Sequence, residues 1–147
     1  MIGLYDLVAA RLGDPARCPN LIQVTTTPRA SAAVEMLALN ADVTALVGPL
    51  SDEANPVQGG SMRVGQVENE LFGVTMAMLA PAGVEQFELA REQIKTALRG
   101  WMPEGAATPI AYVAGATLSY DLKKDGGRWL HLLRFRVSTV VTYEASL

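Results

Sequence analysis

The sequence predicts an α+β fold in which a mostly antiparallel sheet packs against two to three helices as a single layer pair. Segments of helical and strand periodicity do not alternate regularly along the chain, and the last third has the pattern of a hairpin. The 147 residues, half of them apolar, fit one domain spanning residues 1–147 with enough apolar side chains for a core.

The first element is a helix over about residues 2–12, in which apolar residues recur at helical spacing. These residues are Ile2, Tyr5, Val8, Ala9 and Leu12. Gly13 and the following Asp14-Pro15 end the helix. The β-branched run 21–25 then predicts a short strand.

Thr27-Pro28 has the pattern of a helix N-cap followed by proline, and it predicts a second helix ending near Asn40. Residues 42–47 predict a short strand that Gly48-Pro49 ends. Residues 49–62 have no apolar period, so we expect a loop that is mobile in the free subunit, as far as residue 66, and ordered by a partner.

The segment 63–79 predicts a strand whose second half is apolar on both faces, as in a central strand covered on two sides. Pro81 opens the strongest helical pattern, and Gly100 ends it. Its apolar stripe consists of Val84, Phe87, Ala90, Ile94, Ala97 and Leu98.

The remaining residues predict a hairpin around the turn signal Asp125-Gly126. One face of the first strand is predicted to hold Tyr112, Ala114, Leu118, Tyr120 and Leu122. One face of the return strand is predicted to hold Trp129, His131, Leu133, Phe135, Val137, Val141 and Tyr143, with Arg134, Arg136, Ser138 and Thr142 facing the other way.

Composition argues against several classes of protein. The net charge is −3, so no basic balance indicates nucleic-acid binding. Cys18 is the only cysteine, which excludes an intrachain disulfide and predicts a small buried side chain. The amino-terminal residues lack the basic start of a signal peptide, and no apolar run is long enough for a membrane helix, so we expect a soluble protein made in the cytoplasm.

Residues suited to catalysis are few. His131 is the only histidine, and its place on an apolar strand face favours a packed, hydrogen-bonded side chain over a general base. No metal-ligand spacing, phosphate-binding glycine loop or nucleophile motif is present. The sequence therefore predicts no catalytic residue, no cofactor and no metal, and we expect a protein that is not an enzyme.

Three runs carry a resemblance to a known family. They are residues 70–76, Glu-Leu-Phe-Gly-Val-Thr-Met; residues 98–103, Leu-Arg-Gly-Trp-Met-Pro; and residues 109–116, Pro-Ile-Ala-Tyr-Val-Ala-Gly-Ala. Together with the intervening helix and the hairpin, they resemble the phage tail-terminator-like proteins, small tail proteins related to the minor tail protein of Mu-like phages. The resemblance covers roughly residues 63–136.

The resemblance implies a structural subunit of the virion tail, assembled in the host cytoplasm. Such subunits form a homo-oligomeric ring, usually a hexamer, that caps the tail tube and joins it to the head connector. The implied partners are the tail tube protein and the head–tail connector protein. DNA would pass through the ring without specific binding, and no membrane is involved.

Two sets of residues are candidates for surfaces of this ring. Acidic side chains at the start of the long strand and on the preceding loop could face the lumen, where they would repel the DNA backbone; these are Glu68, Glu70, Asp52 and Glu53. Candidate interface residues are Trp101, which could instead pack against the core, and the basic hairpin tip, which could instead be a solvated turn; that tip is Lys123, Lys124 and Arg128.

The alternative is a small oligomeric ligand-binding module or enzyme. A helix-backed sheet can enclose an apolar pocket, and the pocket residues would then be Tyr112, Tyr120, His131 and Tyr143.

Overall fold

The computed structural model describes residues 2–26, 43–59, 63–79, 84–120 and 128–144. Within these ranges it has two helices and a six-stranded sheet. The helices are α1 (Leu4–Leu12) and α2 (Val84–Leu98); the strands are β1 (Leu21–Thr26), β2 (Val43–Ala54), β3 (Gln58–Gly59), β4 (Arg63–Leu79), β5 (Ala111–Tyr120) and β6 (Arg128–Glu144).

The sheet has the order β1-β2-β4-β6-β5, and β3 adds to β4 beside the end of β2. Only the pair β1–β2 is parallel, and the other described pairs are antiparallel. The α+β fold with a mostly antiparallel sheet, expected from the sequence, is therefore confirmed. The helix predicted after Thr27-Pro28 lies outside the described residues.

The stripe predicted for α2 is confirmed apart from its first residue, whereas the stripe predicted for α1 is confirmed at Val8 and Leu12 but wrong at Ile2, which is exposed ahead of the helix. Leu4, Val8 and Leu12 of α1 are fully buried, and so is the stripe of α2 apart from Val84, which stays exposed in the first turn. Gly100 follows α2 with a φ of 84°, a left-handed conformation that glycine adopts without steric cost. The expected helix end at Gly100 is thus confirmed.

One main core lies between the helices and one face of the sheet, which we call the helix-side face. This face carries Phe72, Val74 and Met76 of β4 together with Leu133 and Phe135 of β6. The rings of Phe72 and Phe135 stack with centroids 5.6 Å apart. A smaller buried cluster of Leu46, Ala77 and Leu130 lies on the opposite face. All residues from 72 to 78 are buried, which confirms that this part of β4 is covered on two sides.

The prediction of a loop over residues 49–62 is wrong for residues 49–54, which continue β2, and for Gln58–Gly59, which form β3; residues 60–62 lie outside the described residues. β2 continues through Gly48-Pro49 to Ala54, with a β-bulge at Leu50, and pairs with β4 as far as Ala54 opposite Glu68. Proline is tolerated here because β1 stops opposite Val47, so no strand of the described residues needs the N–H that Pro49 lacks.

The alternation predicted for β5 is also wrong. Two β-bulges, between Tyr112 and Ala114 and between Thr117 and Ser119, shift the register against β6. Tyr112 packs against the core, whereas Val113 and Leu118 are about half exposed. In β6 the predicted faces are confirmed as far as Val137, while Val141 and Tyr143 continue the helix-side face in exposed positions.

Candidate functional site

The strands of the sheet run well beyond the core. Residues 43–48 of β2, 72–78 of β4 and 130–133 of β6 are buried, but no residue of 49–54, 63–71 or 138–144 is. The boundary between buried and unburied residues lies at the same height in all three strands, because Pro49 of β2 lies opposite Phe72 of β4, and Phe72 lies opposite Phe135 of β6. Beyond this level the chain forms an arm of three adjacent strands, which we define as residues 51–59, 63–71 and 138–144.

The arm extends roughly 25 Å beyond the core, from the rise of about 3.3 Å per strand residue over the eight residues from Arg63 to Glu70. Several of its apolar side chains face solvent: Val57, Val140, Val141 and Tyr143 are 50%, 56%, 37% and 42% exposed. By strand alternation Val141 and Tyr143 lie on the helix-side face and Val140 on the opposite face, so both faces of the arm expose apolar side chains that a partner could cover.

On the face of the arm that points away from the helices, a network of polar side chains links its three strands. Ser138 donates from Oγ to Oδ1 of Asn69 at 2.6 Å, and Asn69 donates from Nδ2 to Oδ1 of Asn55 at 3.2 Å. Asn55 also donates its backbone N–H to the carbonyl of Val67 and accepts from Nε2 of Gln66. Sequence reasoning missed these residues because single asparagines in a polar segment have no distinctive spacing.

The four acidic candidates do not all share one surface. Asp52 lies directly opposite Glu70, and both are on the helix-side face with Glu68. Glu53 lies opposite Asn69 and therefore points to the other face. Asp52 and Glu53 therefore belong to a paired strand and not to a loop. Three of the four carboxylates share the helix-side face, and Glu53 does not.

Glu70 is engaged with α1. The hydroxyl of Tyr5 donates a hydrogen bond to Oε1 of Glu70, at the point where the helix-covered core ends. Burial, the hydrogen bond to Glu70, and the charges of Glu70 and Asp52 all raise the pKa of Tyr5. Asp52 and Glu68 are exposed, so they are the carboxylates of this face most accessible to a partner or a ligand.

Trp101 is half-buried against the main core, with the guanidinium of Arg11 at 4.5 Å from its ring centroid. Its backbone is fixed by hydrogen bonds to Leu98 and from Ile110. The structure places Trp101 against the core, which is one of the two interpretations of this residue. Lys123 and Lys124 lie outside the described residues; Arg128 pairs with Leu79 at the start of β6, and its side chain is not described.

In the described part of the chain, the four residues named by the alternative hypothesis do not form one pocket, although the side chains of Tyr112 and His131 both approach Gly115. His131 and Tyr143 are twelve residues apart on one continuous strand, which separates them by roughly 40 Å. Tyr112 and Tyr120 lie near opposite ends of β5. His131 is buried, bonds through Nδ1 to the hydroxyl of Thr117 at 3.1 Å, and meets Phe87 edge-on, as expected for a packed histidine.

Burial, and then the positive charges of Arg91 and Lys95, lower the pKa of His131. Cys18 is buried in the main core, and burial raises the pKa of its thiol to about 11, so it is an apolar core residue as predicted. Among the described residues, no group of three or more His, Cys, Asp or Glu side chains could hold a metal ion. Neither described helix is long and apolar enough to cross a membrane.

An open groove of about 230 Å³ lies on the opposite face of the sheet, where β5 ends and the arm begins. Leu71 and Val113 supply apolar walls, while Glu53 and Arg136 place opposite charges at its rim. Such a mixed, shallow surface suits a contact with another chain better than enclosure of a small molecule.

Comparisons with known proteins give little more. No family model matches the chain, and no curated protein matches it. A chain of a solved structure described as "Virion of native gene transfer agent (GTA) particle" is similar, with 15% sequence identity and a TM-score of 0.48. The alignment covers 95% of this chain and 89% of that chain. At this distance neither the fold nor the function of one protein can be taken from the other.

Proposed function

We propose that this protein is a structural virion protein, the tail-terminator subunit that forms a ring on the tail tube and joins it to the head connector. The observation that carries the proposal is the arm, whose exposed apolar side chains and paired strands extend beyond the core. A monomer gains little from such an arm, because none of its described residues is buried beneath a second layer. Neighbouring copies in a ring would cover it.

The arrangement of chemical groups supports a structural role over an enzymatic one. The titratable residue best suited to acid–base chemistry, His131, is packed between Phe87 and Thr117. Two carboxylates of the arm, those of Asp52 and Glu68, instead lie exposed on its helix-side face.

Catalysis needs convergent groups around a substrate position. Tyr112 and His131 are neighbours beside Gly115, but Tyr143 lies twelve residues from His131 along β6, so the candidates do not all meet at one position.

The resemblance in sequence also maps onto connected parts of the fold. Residues 98–103 leave α2 and turn into the segment before β5, where Gly100 donates to Ile110 and Ile110 donates to Trp101. This junction joins the helix layer to the edge of the sheet. The proposal therefore rests on a resemblance that covers one contiguous half of the fold, together with the arm.

We further propose that the acidic helix-side face of the arm borders the passage for DNA. Asp52, Glu68 and Glu70 would repeat around the ring, and their charges would keep phosphates from binding the wall. Glu53, on the other face, is left out of this surface.

The test of the proposed function is assembly. Purified protein, alone and mixed with tail tubes, is analysed by light scattering coupled to size exclusion and by negative-stain electron microscopy. We expect closed rings, most often six-fold, located at one end of the tubes. A protein that stays monomeric and never occupies the tube end would overturn the proposal.

A further inference from the structure

The arm has two strand edges that no described strand covers. β5 begins at Ala111 opposite Arg136, so none of the described strands flanks residues 139–144 of β6 on that side. On the other side β1 stops opposite Val47, and the described residues place no strand beside residues 51–54 of β2. Open edges of this kind pair readily with another chain unless they are blocked.

Two hydrogen bonds of Ser138 show which backbone N–H and carbonyl groups of β6 point away from β4. Ser138 donates its N–H to the hydroxyl of Thr108, and its carbonyl accepts from the N–H of Ala107, so both backbone groups of Ser138 point away from β4. In an antiparallel strand this direction alternates. Val140 and Thr142 therefore present their N–H and carbonyl groups at the open edge, whereas Val141 bonds toward β4.

The same argument applies to β2. Asn55, just after this strand, donates its N–H to the carbonyl of Val67 on β4, so its backbone points inward. By alternation, Asp52 and Ala54 present their backbone groups outward. Each side of the arm thus offers a short row of donors and acceptors.

The sequence of the β6 edge is that of a pairing strand. Residues 139–143 read Thr-Val-Val-Thr-Tyr, which are β-branched or aromatic residues with high strand propensity and no charge. In contrast, β5 carries two bulges, a common device that prevents pairing at an edge. Among the described strands, the bulged β5 thus has a blocked edge, whereas the end of β6 has an open one.

We infer that residues 139–144 of β6 add to residues 51–54 of β2 in a second copy of this chain, so that successive arms form one continuous sheet. Within the arm β2 and β6 are both antiparallel to β4 and hence parallel to each other. Copies related by rotation would pair them in parallel. The inference rests on the proposed ring and names the contact that closes it.

Head-to-tail pairing of β6 with β2 covers more of the open strand edges than a two-fold contact between two β6 strands would. If β6 paired with β6 of one other copy, the β2 edge would remain open in every dimer. Pairing β6 with β2 satisfies both edges of each copy once the ring closes. It also places the uncharged residues 139–143 beside Asp52 and Glu53, so acidic side chains do not oppose each other there.

The first experiment removes one outward donor. Val140→Pro deletes the N–H that faces the neighbour and leaves the bonds to β4 in place, while Val140→Thr keeps the N–H and a similar shape. We expect Val140→Thr to assemble like the wild type and Val140→Pro to associate roughly tenfold more weakly or worse. Circular dichroism and the melting temperature establish that each variant is folded.

The second experiment does not depend on proline. Val140→Cys is combined with Ser51→Cys or Glu53→Cys, whose side chains share its face of the sheet; the native Cys18 is buried. Mild oxidation should give a ladder of covalent oligomers for one of the double variants. Dimers from Val140→Cys alone would indicate β6–β6 pairing and overturn the inference.

Different results would overturn the proposed edge pairing and the proposed function. Rings formed equally well by folded Val140→Pro, with no ladder from either double variant, would overturn the edge pairing and leave the proposed function standing. A wild-type protein that forms no ring, even on tail tubes, would overturn both.

Discussion

The hydroxyl of Tyr5 on α1 donates a hydrogen bond to the carboxylate of Glu70 on β4, at the level where the core ends and the arm begins. Asp52 lies directly opposite Glu70, and two carboxylates in this relation repel each other. The bond from Tyr5 offsets part of that repulsion and links the first helix to the base of the arm.

Tyr5→Phe should lower the free energy of unfolding by about 1 kcal/mol, because Glu70 loses a donor while the ring contact with Phe72 is kept. The loss should shrink at alkaline pH. The pKa of Tyr5 is raised in the folded state, so the wild type loses stability once the unfolded tyrosine ionises above about pH 10. Urea unfolding at neutral and alkaline pH measures both effects; equal stability of the two proteins at neutral pH would contradict the role of the bond.

His131 should make the stability depend on mildly acidic pH. Its pKa is lowered by burial, so the folded state binds fewer protons than the unfolded chain as pH falls below about 6.5. The stabilisation is present above that pH and is lost below it. His131→Leu should therefore show a flatter stability profile between neutral and mildly acidic pH than the wild type.

Thr117→Val is the matched control for His131, because it removes the hydroxyl partner and keeps the titrating ring. It should be less stable at every pH but keep the slope. An unchanged slope in His131→Leu would assign the pH dependence to other groups.

Trp101→Ala should lower the free energy of unfolding by about 3 kcal/mol, at the low end for aromatic truncations because the ring is only half-buried. The substitution also removes the cation–π contact with Arg11. Rings should still assemble at temperatures where the variant is folded. A melting temperature like that of the wild type, with assembly lost, would identify Trp101 as an interface residue.

Elements with a strong apolar period could be predicted from the sequence, whereas features set by pairing could not. The stripe of α2 and the bounds of β4 follow from local patterns of residues. The extension of β2 past Gly48-Pro49 depends on where β1 stops, which is a relation between strands. The bulges in β5 likewise depend on its register against β6.

The candidate site shows the same division. Because strand alternation is local, the sequence placed Glu68 and Glu70 on one face correctly. It could not reveal that Glu70 meets Tyr5, since the two residues are 65 positions apart. Nor could it identify the edge of β6 that no described strand covers, which depends on β5 beginning only at Ala111, opposite Arg136.

The proposed passage wall predicts that charge matters on one face of the arm and not on the other. Glu68 lies on the helix-side face and Glu53 on the opposite face; both are exposed, and both are in paired strands. Glu68→Lys and Glu53→Lys change the net charge equally. Because Glu53 also lies at the proposed contact between copies, both variants are first compared in ring formation, and with equal assembly a difference in DNA delivery reports the face and not the total charge. Glu70 is left unchanged because its substitution would also break the bond from Tyr5.

Tails carrying Glu68→Lys, and more strongly Asp52→Lys combined with Glu68→Lys, should assemble at normal length but deliver DNA slowly or not at all. Lysines repeated around the ring would bind phosphates as the DNA passes, and this binding weakens steeply with salt. Delivery from purified particles, measured as DNA release at low and high salt, should be restored by high salt in these variants, while Glu53→Lys behaves like the wild type. Normal infectivity of the double variant would refute the assignment of this face to the passage.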